Sequence, residues 1–272
     1  MPDQTIEGLV LSSQPLGEQD RLLVVLSASE GLLRLSAPGA RKPKSSLAAA
    51  VPLAQLRLQI GGGSGLRRIR QLQVLHHFGS LGASLAALAA AQALCELALV
   101  LVPSGQPAPE LLTALLLHLG RLEALVALRG PEAEALAAAV QGAVQLLALG
   151  GYALPLQNCA HSGTPLEPPI GQWSWRCSLL PDAGLVIGDI PGAPVQLNPS
   201  ELALLQRLLR PQLPRRRDGE LLGPEPVWLN LLSLIECWCR EHLGRRLRAL
   251  TLLRSCYGNM AGQTADGAPP NP

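Results

Sequence analysis

Acidic residues are absent from a long stretch near the start of this chain. Residues 31–95 contain no Asp or Glu, yet they carry a block of basic side chains. The block consists of Arg34, Arg41, Lys42, Lys44, Arg57, Arg67, Arg68 and Arg70. The net charge of +2 conceals it, because the remainder of the chain beyond residue 80 is slightly acidic. Such a block is typical of a surface that binds a polyanion, most often nucleic acid, although a solvated face with its acids elsewhere would give the same pattern.

Lysine and aromatic residues are also scarce. Both lysines of the chain lie in one short segment, Arg41-Lys42-Pro43-Lys44. The chain has one Phe, two Tyr and four Trp, and residues 1–80 contain only Phe78. Exposed aromatic rings are the usual platform on which the bases of single strands stack. We therefore expect any binding by this region to be mainly electrostatic.

Catalytic and targeting signals are missing as well. The chain has no His-Glu-x-x-His or Gly-x-Ser-x-Gly, and no Lys-Ser or Lys-Thr follows the glycine run at 61–65, which excludes a P-loop. The six cysteines are scattered, as expected in a reducing cytosol. The first residues lack the basic and apolar regions of a signal peptide. We expect a cytoplasmic protein that is not an enzyme and has no cofactor.

One apolar stretch, residues 81–102, has the length of a membrane span. It contains Gln92 and Glu96, however, and a carboxylate in the middle of a span is costly in lipid. The stretch therefore favours a buried helix, and we expect no membrane contact.

The first 80 residues have the pattern of strands. Short apolar runs separated by turn residues predict strands at 4–12, 20–27, 31–38, 51–60 and 66–78. In the fourth run, Leu56, Leu58 and Ile60 alternate with polar residues. Five strands with a longer link between the third and the fourth predict a closed barrel of the OB type.

From residue 81 the pattern becomes helical. Leu and Ala dominate, and prolines at helix starts and glycines at helix ends predict helices at 81–102, 109–129, 131–149, 199–209, 226–243 and 245–256. The fold class is therefore α+β. We expect an OB domain at 1–80, a helical domain at 81–258 with an irregular insert at 154–198, and a disordered tail at 259–272.

The insert has the spacing of a degenerate zinc knuckle. Such a knuckle needs two Cys-x-x-Cys pairs, because four thiolates complete a tetrahedral site. The four corresponding positions here are Cys159, Ser162, Ile187 and Ile190. A site rebuilt from Cys159, His161 and Cys177 lacks an obvious fourth ligand. We expect no metal, and we expect packing of Trp173, Trp175, Ile187 and Ile190 to hold the insert.

Four stretches of the chain resemble the RecO family of bacterial recombination mediators. They are GLVLSS and GEQDRLL at 8–13 and 17–23, GLLRLSAPGARKPKS at 31–45, and HLGRRLR at 242–248. The resemblance covers almost the whole chain except the tail. The chain departs from the family pattern at the insert, where three of the four thiolates of the family's zinc site are missing.

The resemblance implies a function and partners. Members of this family bind single- and double-stranded DNA, anneal strands, and act with RecR to place RecA on DNA coated by SSB. The absence of a nucleotide-phosphate cradle fits annealing without ATP. The basic residues of 1–80 are the expected DNA contacts, and no metal or catalytic residues are expected.

The resemblance also implies that the helical domain receives the acidic C-terminal tail of SSB. That tail needs cations beside an apolar groove, and two arginine-rich segments could supply them. Residues 215–217 have the pattern of an exposed loop. The other segment holds Arg240, Arg245, Arg246 and Arg248. It lies beside a predicted amphipathic helix with Leu243, Leu247, Leu250 and Leu253, and we favour it because charge and apolar surface are adjacent there.

Two hypotheses from other classes stay open at this stage. The chain could be a helical interaction scaffold whose basic barrel docks an acidic protein, and DNA would then fail to compete with that protein. It could also be a metal-dependent enzyme built on the Cys and His residues of the insert, and it would then hold stoichiometric metal.

Overall fold

The computed structural model describes residues 4–61 and 66–258. The expectations for the glycine run at 62–65 and for the tail at 259–272 lie outside the described residues. The chain forms two compact units. The first contains the described residues of Met1–Ala83 with Leu94–Gly130 and Gly142–Ala153, and the second contains Ser84–Ala93, Pro131–Gln141 and the described residues from Leu154 onward.

The first five strands close into a barrel. They are β1 (Gln4–Leu16), β2 (Asp20–Ser27), β3 (Gly31–Ala37), β4 (Ala54–Gly61) and β5 (Arg67–His77). The order around the barrel is β1-β2-β3-β5-β4, and a short parallel pairing, Leu35 with Arg67 and Ser36 with Arg68, joins β3 to β5. The five-stranded barrel and the α+β class predicted from the sequence are confirmed.

Apolar side chains at alternate positions of the strands fill the barrel. On β4, Leu56, Leu58 and Ile60 are almost fully buried, while Arg57 and Gln59 face outward. The other strands contribute Ile6, Val10, Leu23, Val25, Leu33, Leu35 and Ile69 to the same core. Because every second residue points inward, the remaining positions of each strand are available for an outer surface.

The helices follow the predicted order. They are α1 (Leu85–Leu101), α2 (Pro109–Ala127), α3 (Glu132–Leu149), α4 (Pro199–Arg207), α5 (Glu225–His242) and α6 (Arg248–Gly258). The helix predicted at 81–102 starts late. A 3-10 helix occupies Phe78–Ala83, and the Ser84 hydroxyl then accepts a hydrogen bond from the Ala87 N–H, which starts α1.

The insert contains three strands that the sequence did not predict. They are β6 (Cys177–Leu180), β7 (Gly184–Ile187) and β8 (Gln196–Leu197), in the order β7-β6-β8. Asn198 then caps α4: its side chain accepts from the Glu201 N–H at 3.0 Å, and Glu201 accepts from the Asn198 N–H at 2.8 Å.

Among the described helices, α3 is the one long and apolar enough to cross a membrane, and 67% of its 18-residue span is buried inside the protein. A helix in the core of a folded protein passes the same test, so this is weak evidence for a membrane segment.

Gly31, the first residue of β3, sits where a side chain cannot fit. Its φ is +65°, and a Cβ atom built on it would lie 1.9 Å from the carbonyl oxygen of Gln106. We expect Gly31→Ala to lower the free energy of unfolding by about 3 kcal/mol or more, since it adds both left-handed strain and a backbone clash. Chemical denaturation measures this change.

Gly17 is the matched control for Gly31→Ala. Its φ is +64°, but nothing lies within 4 Å of its Cβ position. Gly17→Ala should therefore cost only the conformational strain, about 1 kcal/mol. Equal losses in the two variants would show that the contact with Gln106 does not constrain this position.

Candidate nucleic-acid interface

The basic residues that follow β3 form a compact, exposed turn. We call residues 41–44 the basic turn, and Arg41, Lys42 and Lys44 in it are all exposed. The Lys42 N–H donates to the Gly39 carbonyl at 2.9 Å, and the Ser45 N–H donates to the Lys42 carbonyl at 3.3 Å. These consecutive short-range hydrogen bonds fold the segment into a tight turn, so its three cationic side chains project from the same short loop.

Contacts with the β1–β2 connection fix the start of this turn. The Gly39 N–H donates to the Asp20 carboxylate at 2.7 Å. The Arg41 N–H donates to the Gln19 carbonyl at 2.9 Å, and the Arg41 guanidinium donates to the Gly17 carbonyl at 3.0 Å. Lys44 has a φ of 58°, the left-handed region that non-glycine residues seldom adopt. The backbone of the turn is therefore held in a defined conformation.

Two of the eight predicted contact residues are already paired with acids. Arg57 lies 2.7 Å from Glu7, which faces it across the β1–β4 pairing, and it also donates to Gln73 at 3.1 Å. Arg67 lies 3.3 Å from Glu30. The hydrogen bond from Gln4 lowers the pKa of Glu30, and Arg67 lowers it further against the opposing effect of burial. These pairs reduce the charge that Arg57 and Arg67 can offer to another anion.

Arg34 lies on β3, and Arg68 lies on the neighbouring strand β5. Both are exposed, and neither has an ion pair within residues 4–61 and 66–258. Arg68 pairs in register with Ser36, one residue before the end of β3 from which the chain continues toward the basic turn. Arg70, the last of the eight, is also exposed on β5. Of the eight, Arg34, Arg68 and the three cations of the basic turn therefore have no acidic partner in the described part of the chain.

The described barrel surface has no exposed Phe, Tyr or Trp. Phe78, just after β5, is only 5% exposed, and its ring packs edge-on against His76 at 4.5 Å between centroids. The barrel can therefore contact phosphates through its cations, but its described surface offers no Phe, Tyr or Trp ring on which bases would stack.

One buried thiol of the insert, Cys159, has a lowered pKa. The Ile187 N–H points to the Cys159 sulfur at 3.4 Å. Burial raises the pKa of Cys159, but the Ser162 side chain and the backbone N–H groups of Ile187, Ser162 and His161 outweigh it and lower the pKa to about 7. Burial, with Cys159 adding to it, raises the pKa of Cys177 to about 12. No group of three His, Cys, Asp or Glu side chains in the described part of the chain could hold a metal, so the residues present do not fit the family's zinc.

We predict that the purified protein contains well under one zinc per chain, because Ser162, Ile187 and Ile190 cannot supply the thiolates that complete a tetrahedral site. Elemental analysis by mass spectrometry after dialysis measures the content. One tightly held zinc per chain that is lost in Cys159→Ala would contradict this account of the insert.

The packing expected for the insert is wrong in part. Trp173 is 65% exposed and Ile187 is 38% exposed, so neither forms the centre of the segment. The buried residues are instead Leu156, Leu166, Leu179, Leu185 and Leu197. Ser178 adds polar contacts: its hydroxyl donates to the Gly188 carbonyl at 2.8 Å and accepts from the Ile190 N–H at 3.0 Å. Backbone pairing and buried leucines therefore help to hold the insert, while Trp175 and Ile190 are half-buried.

The predicted partner-binding arginines surround the connection between α5 and α6. Arg240, Arg245, Arg246 and Arg248 are all exposed. The expected apolar surface beside them is largely missing, because Leu247, Leu250 and Leu253 are at most 3% exposed. The helix is amphipathic as predicted, but its apolar face is buried within the protein. This connection therefore offers charge, with little apolar surface beside it.

The other arginine-rich segment is engaged with acids. Arg215 lies 2.5 Å from Glu134 and also donates to the Gly219 carbonyl, and Arg216 lies 3.4 Å from Glu220. These contacts tie residues 215–217 into the second unit and fit the choice of the α5–α6 arginines as the stronger candidates.

A cavity of about 300 Å³ between α4 and the start of α5 was not predicted from the sequence. Its apolar lining includes Ile170, Leu204, Leu222 and Val227, and Arg207 lies among the lining residues. Ile170 is 65% exposed. Because the lining comes from three separate segments, no local pattern in the sequence indicates it.

Comparisons with known proteins agree with this architecture. The family model described as Recombination protein O N terminal matches residues 1–78, and Recombination protein O C terminal matches residues 82–251. A DNA repair protein RecO from Synechococcus sp. (strain WH7803) is 60% identical over 255 residues, which cover 93% of this chain and 94% of that protein. One from Prochlorococcus marinus (strain MIT 9313) is 60% identical over 253 residues, covering 93% and 95%.

A more distant relative matches over the same length. The DNA repair protein RecO of Synechococcus elongatus (strain ATCC 33912 / PCC 7942 / FACHB-805) is 34% identical over 256 residues, covering 92% of this chain and 94% of its own. The barrel, the helices and these matches together define a protein of DNA repair and recombination. The chain belongs to the RecO family.

Proposed function

We propose that this chain is a DNA-binding recombination mediator that binds single- and double-stranded DNA and anneals strands without ATP. With RecR, it would help to load RecA onto single-stranded DNA coated by SSB. The observation that carries the DNA-binding part is a set of five exposed cations of the barrel without an acidic partner among the described residues: Arg34, Arg41, Lys42, Lys44 and Arg68.

This surface suits annealing for a physical reason. Complementary strands repel each other through their phosphates, and cations that bind phosphates reduce that repulsion. A surface on which no described Phe, Tyr or Trp is exposed stacks the bases weakly and leaves them free to pair. Such annealing needs neither a nucleotide nor a catalytic residue, and the proposal therefore describes a cytoplasmic binding protein rather than an enzyme.

We predict that the protein accelerates the annealing of complementary oligonucleotides to the same extent with and without ATP, at fixed concentrations of salt and free magnesium. The reason is that neutralising phosphates requires no hydrolysis. Fluorescence quenching between labelled strands measures the rate, and Arg41→Glu with Lys42→Glu and Lys44→Glu should remove most of the acceleration. An absolute requirement for ATP by this protein alone would contradict the proposal.

The proposed SSB contact uses the α5–α6 arginines. The acidic tail of SSB would place its carboxylates against Arg240, Arg245, Arg246 and Arg248, which are exposed around one short connection. The α4–α5 cavity with Arg207 is the competing location, because there an exposed cation adjoins an apolar lining. Substitutions at the two locations separate these alternatives.

A further inference from the structure

Asp20 is an acid next to the surface proposed to bind a polyanion. It lies at the start of β2, and its carboxylate is half-buried beside the backbone that leads into the basic turn. A carboxylate at such a place repels phosphates, so charge alone would make it unfavourable for DNA binding. Its contact with the Gly39 N–H at 2.7 Å gives it a different role.

Gly39 lies two residues before the basic turn and contacts Lys42 in it. The carbonyl of Gly39 accepts the Lys42 N–H at 2.9 Å, and the aliphatic stem of Lys42 passes 3.5 Å from the position of a Cβ on Gly39. Two further bonds join Arg41 to Gln19 and Gly17 in the same β1–β2 connection. Asp20 supplies the side-chain acceptor of this set, and the other two bonds use backbone carbonyls as acceptors.

A second anchor holds the far end of the same loop. The Arg21 guanidinium, one residue after Asp20, donates to the Ala50 carbonyl at 3.0 Å. The segment between β3 and β4 is thus tied to the start of β2 on both sides of the basic turn. A loop with fixed ends and internal turn bonds loses less conformational entropy when its cations bind.

We propose that Asp20 is a positioning residue for DNA binding, which holds the basic turn so that Arg41, Lys42 and Lys44 meet phosphates together. This inference rests on the proposed function, because it concerns the same surface. It makes an unusual prediction of sign: removing an acid from a DNA-binding surface should weaken binding.

Two substitutions of Asp20, compared with Glu18→Ala as a control, separate the effect of position from the effect of charge. Asp20→Ala loses the contact with Gly39, and we expect roughly tenfold weaker binding, the factor expected if about one backbone residue must be ordered again on binding. Asp20→Asn keeps an oxygen that can accept from the Gly39 N–H while it loses the charge, so its affinity should equal or exceed that of the unsubstituted protein. Anisotropy titration of a labelled duplex, with the full chain at fixed salt, measures all three.

Glu18 is the matched control in the same connection. It is exposed, and no hydrogen bond or ion pair involves it within the described residues. Glu18→Ala removes the same charge without removing a contact, and it should tighten binding by roughly twofold or less because the charge is screened. Weaker binding by Asp20→Ala together with stronger binding by Glu18→Ala supports the positioning role, and tightening by both overturns it.

Amide hydrogen exchange gives a test that does not depend on the folding of any variant. In the free, unsubstituted protein, the N–H groups of Gly39 and Arg41 should exchange slowly, since both are hydrogen-bonded to the β1–β2 connection. Rapid exchange at both would overturn the inference. If the unsubstituted protein binds no DNA, the proposed function itself fails; if it binds and Asp20→Ala leaves affinity unchanged, only the role of Asp20 fails.

Discussion

Replacing Arg41, Lys42 and Lys44 together with glutamate is expected to weaken DNA binding by orders of magnitude at low salt. The three side chains are exposed and project from one hydrogen-bonded turn, so they can contact neighbouring phosphates. The loss of about three contacts should also flatten the slope of log K against log salt by roughly 2.7 for duplex DNA. Fluorescence anisotropy over a range of salt concentrations measures affinity and slope together.

The control for this triple variant changes the net charge equally at another place. Arg207, Arg216 and Arg217 lie in the second unit and are exposed. Their replacement with glutamate should leave the salt slope close to that of the unsubstituted protein if the contacts are local to the barrel. A folded basic-turn variant that keeps both the affinity and the slope would contradict the assignment, and equal losses in the two triple variants would reduce it to an effect of net charge.

Replacing Arg245 and Arg246 with glutamate is expected to abolish binding of an acidic peptide that represents the C-terminal tail of SSB. Acidic peptides depend on nearby cations, and reversing two charges turns attraction into repulsion. Both side chains are exposed at the α5–α6 connection, where Arg246 also contacts the Thr251 hydroxyl at 3.2 Å. Isothermal calorimetry with the full chain measures the loss, while DNA affinity measured in parallel should be retained.

Arg207→Glu is the comparison for the peptide experiment. It places a negative charge among the residues that line the α4–α5 cavity and leaves the α5–α6 connection unchanged. We expect this variant to keep most of its peptide affinity. The opposite pattern, with binding lost in Arg207→Glu and kept in Arg245→Glu with Arg246→Glu, would move the site to the cavity and contradict our choice.

The barrel could be predicted because its signals are local. The alternation in 56–60 and the turn residues between runs are enough to place five strands within a few residues of their ends. The start of β4 was predicted three residues too early, at Val51 rather than Ala54. The chain there turns through Leu53, whose φ is 63° and whose N–H donates to the Val10 carbonyl, a partner more than forty residues away that a local pattern does not reveal.

The composition of the proposed DNA-binding surface could be predicted only in part. The sequence shows that 31–95 has no acids, but it does not show that β1 brings Glu7 opposite Arg57, fifty positions further along the chain. Register between distant strands decides which cations are paired. The same limit applies to α6, where periodicity correctly indicates an apolar face but not whether other residues cover Leu250 and Leu253.

The central claim is that the barrel binds DNA through its phosphates, and a salt titration of the unsubstituted protein tests it most directly. If the five unpaired cations each neutralise one phosphate, log K for duplex DNA should fall linearly with log salt with a slope of about −4.5. Single strands should give a shallower line, at about −0.7 rather than −0.9 per contact. An affinity that does not change with salt, or the absence of binding at low salt, would contradict the claim.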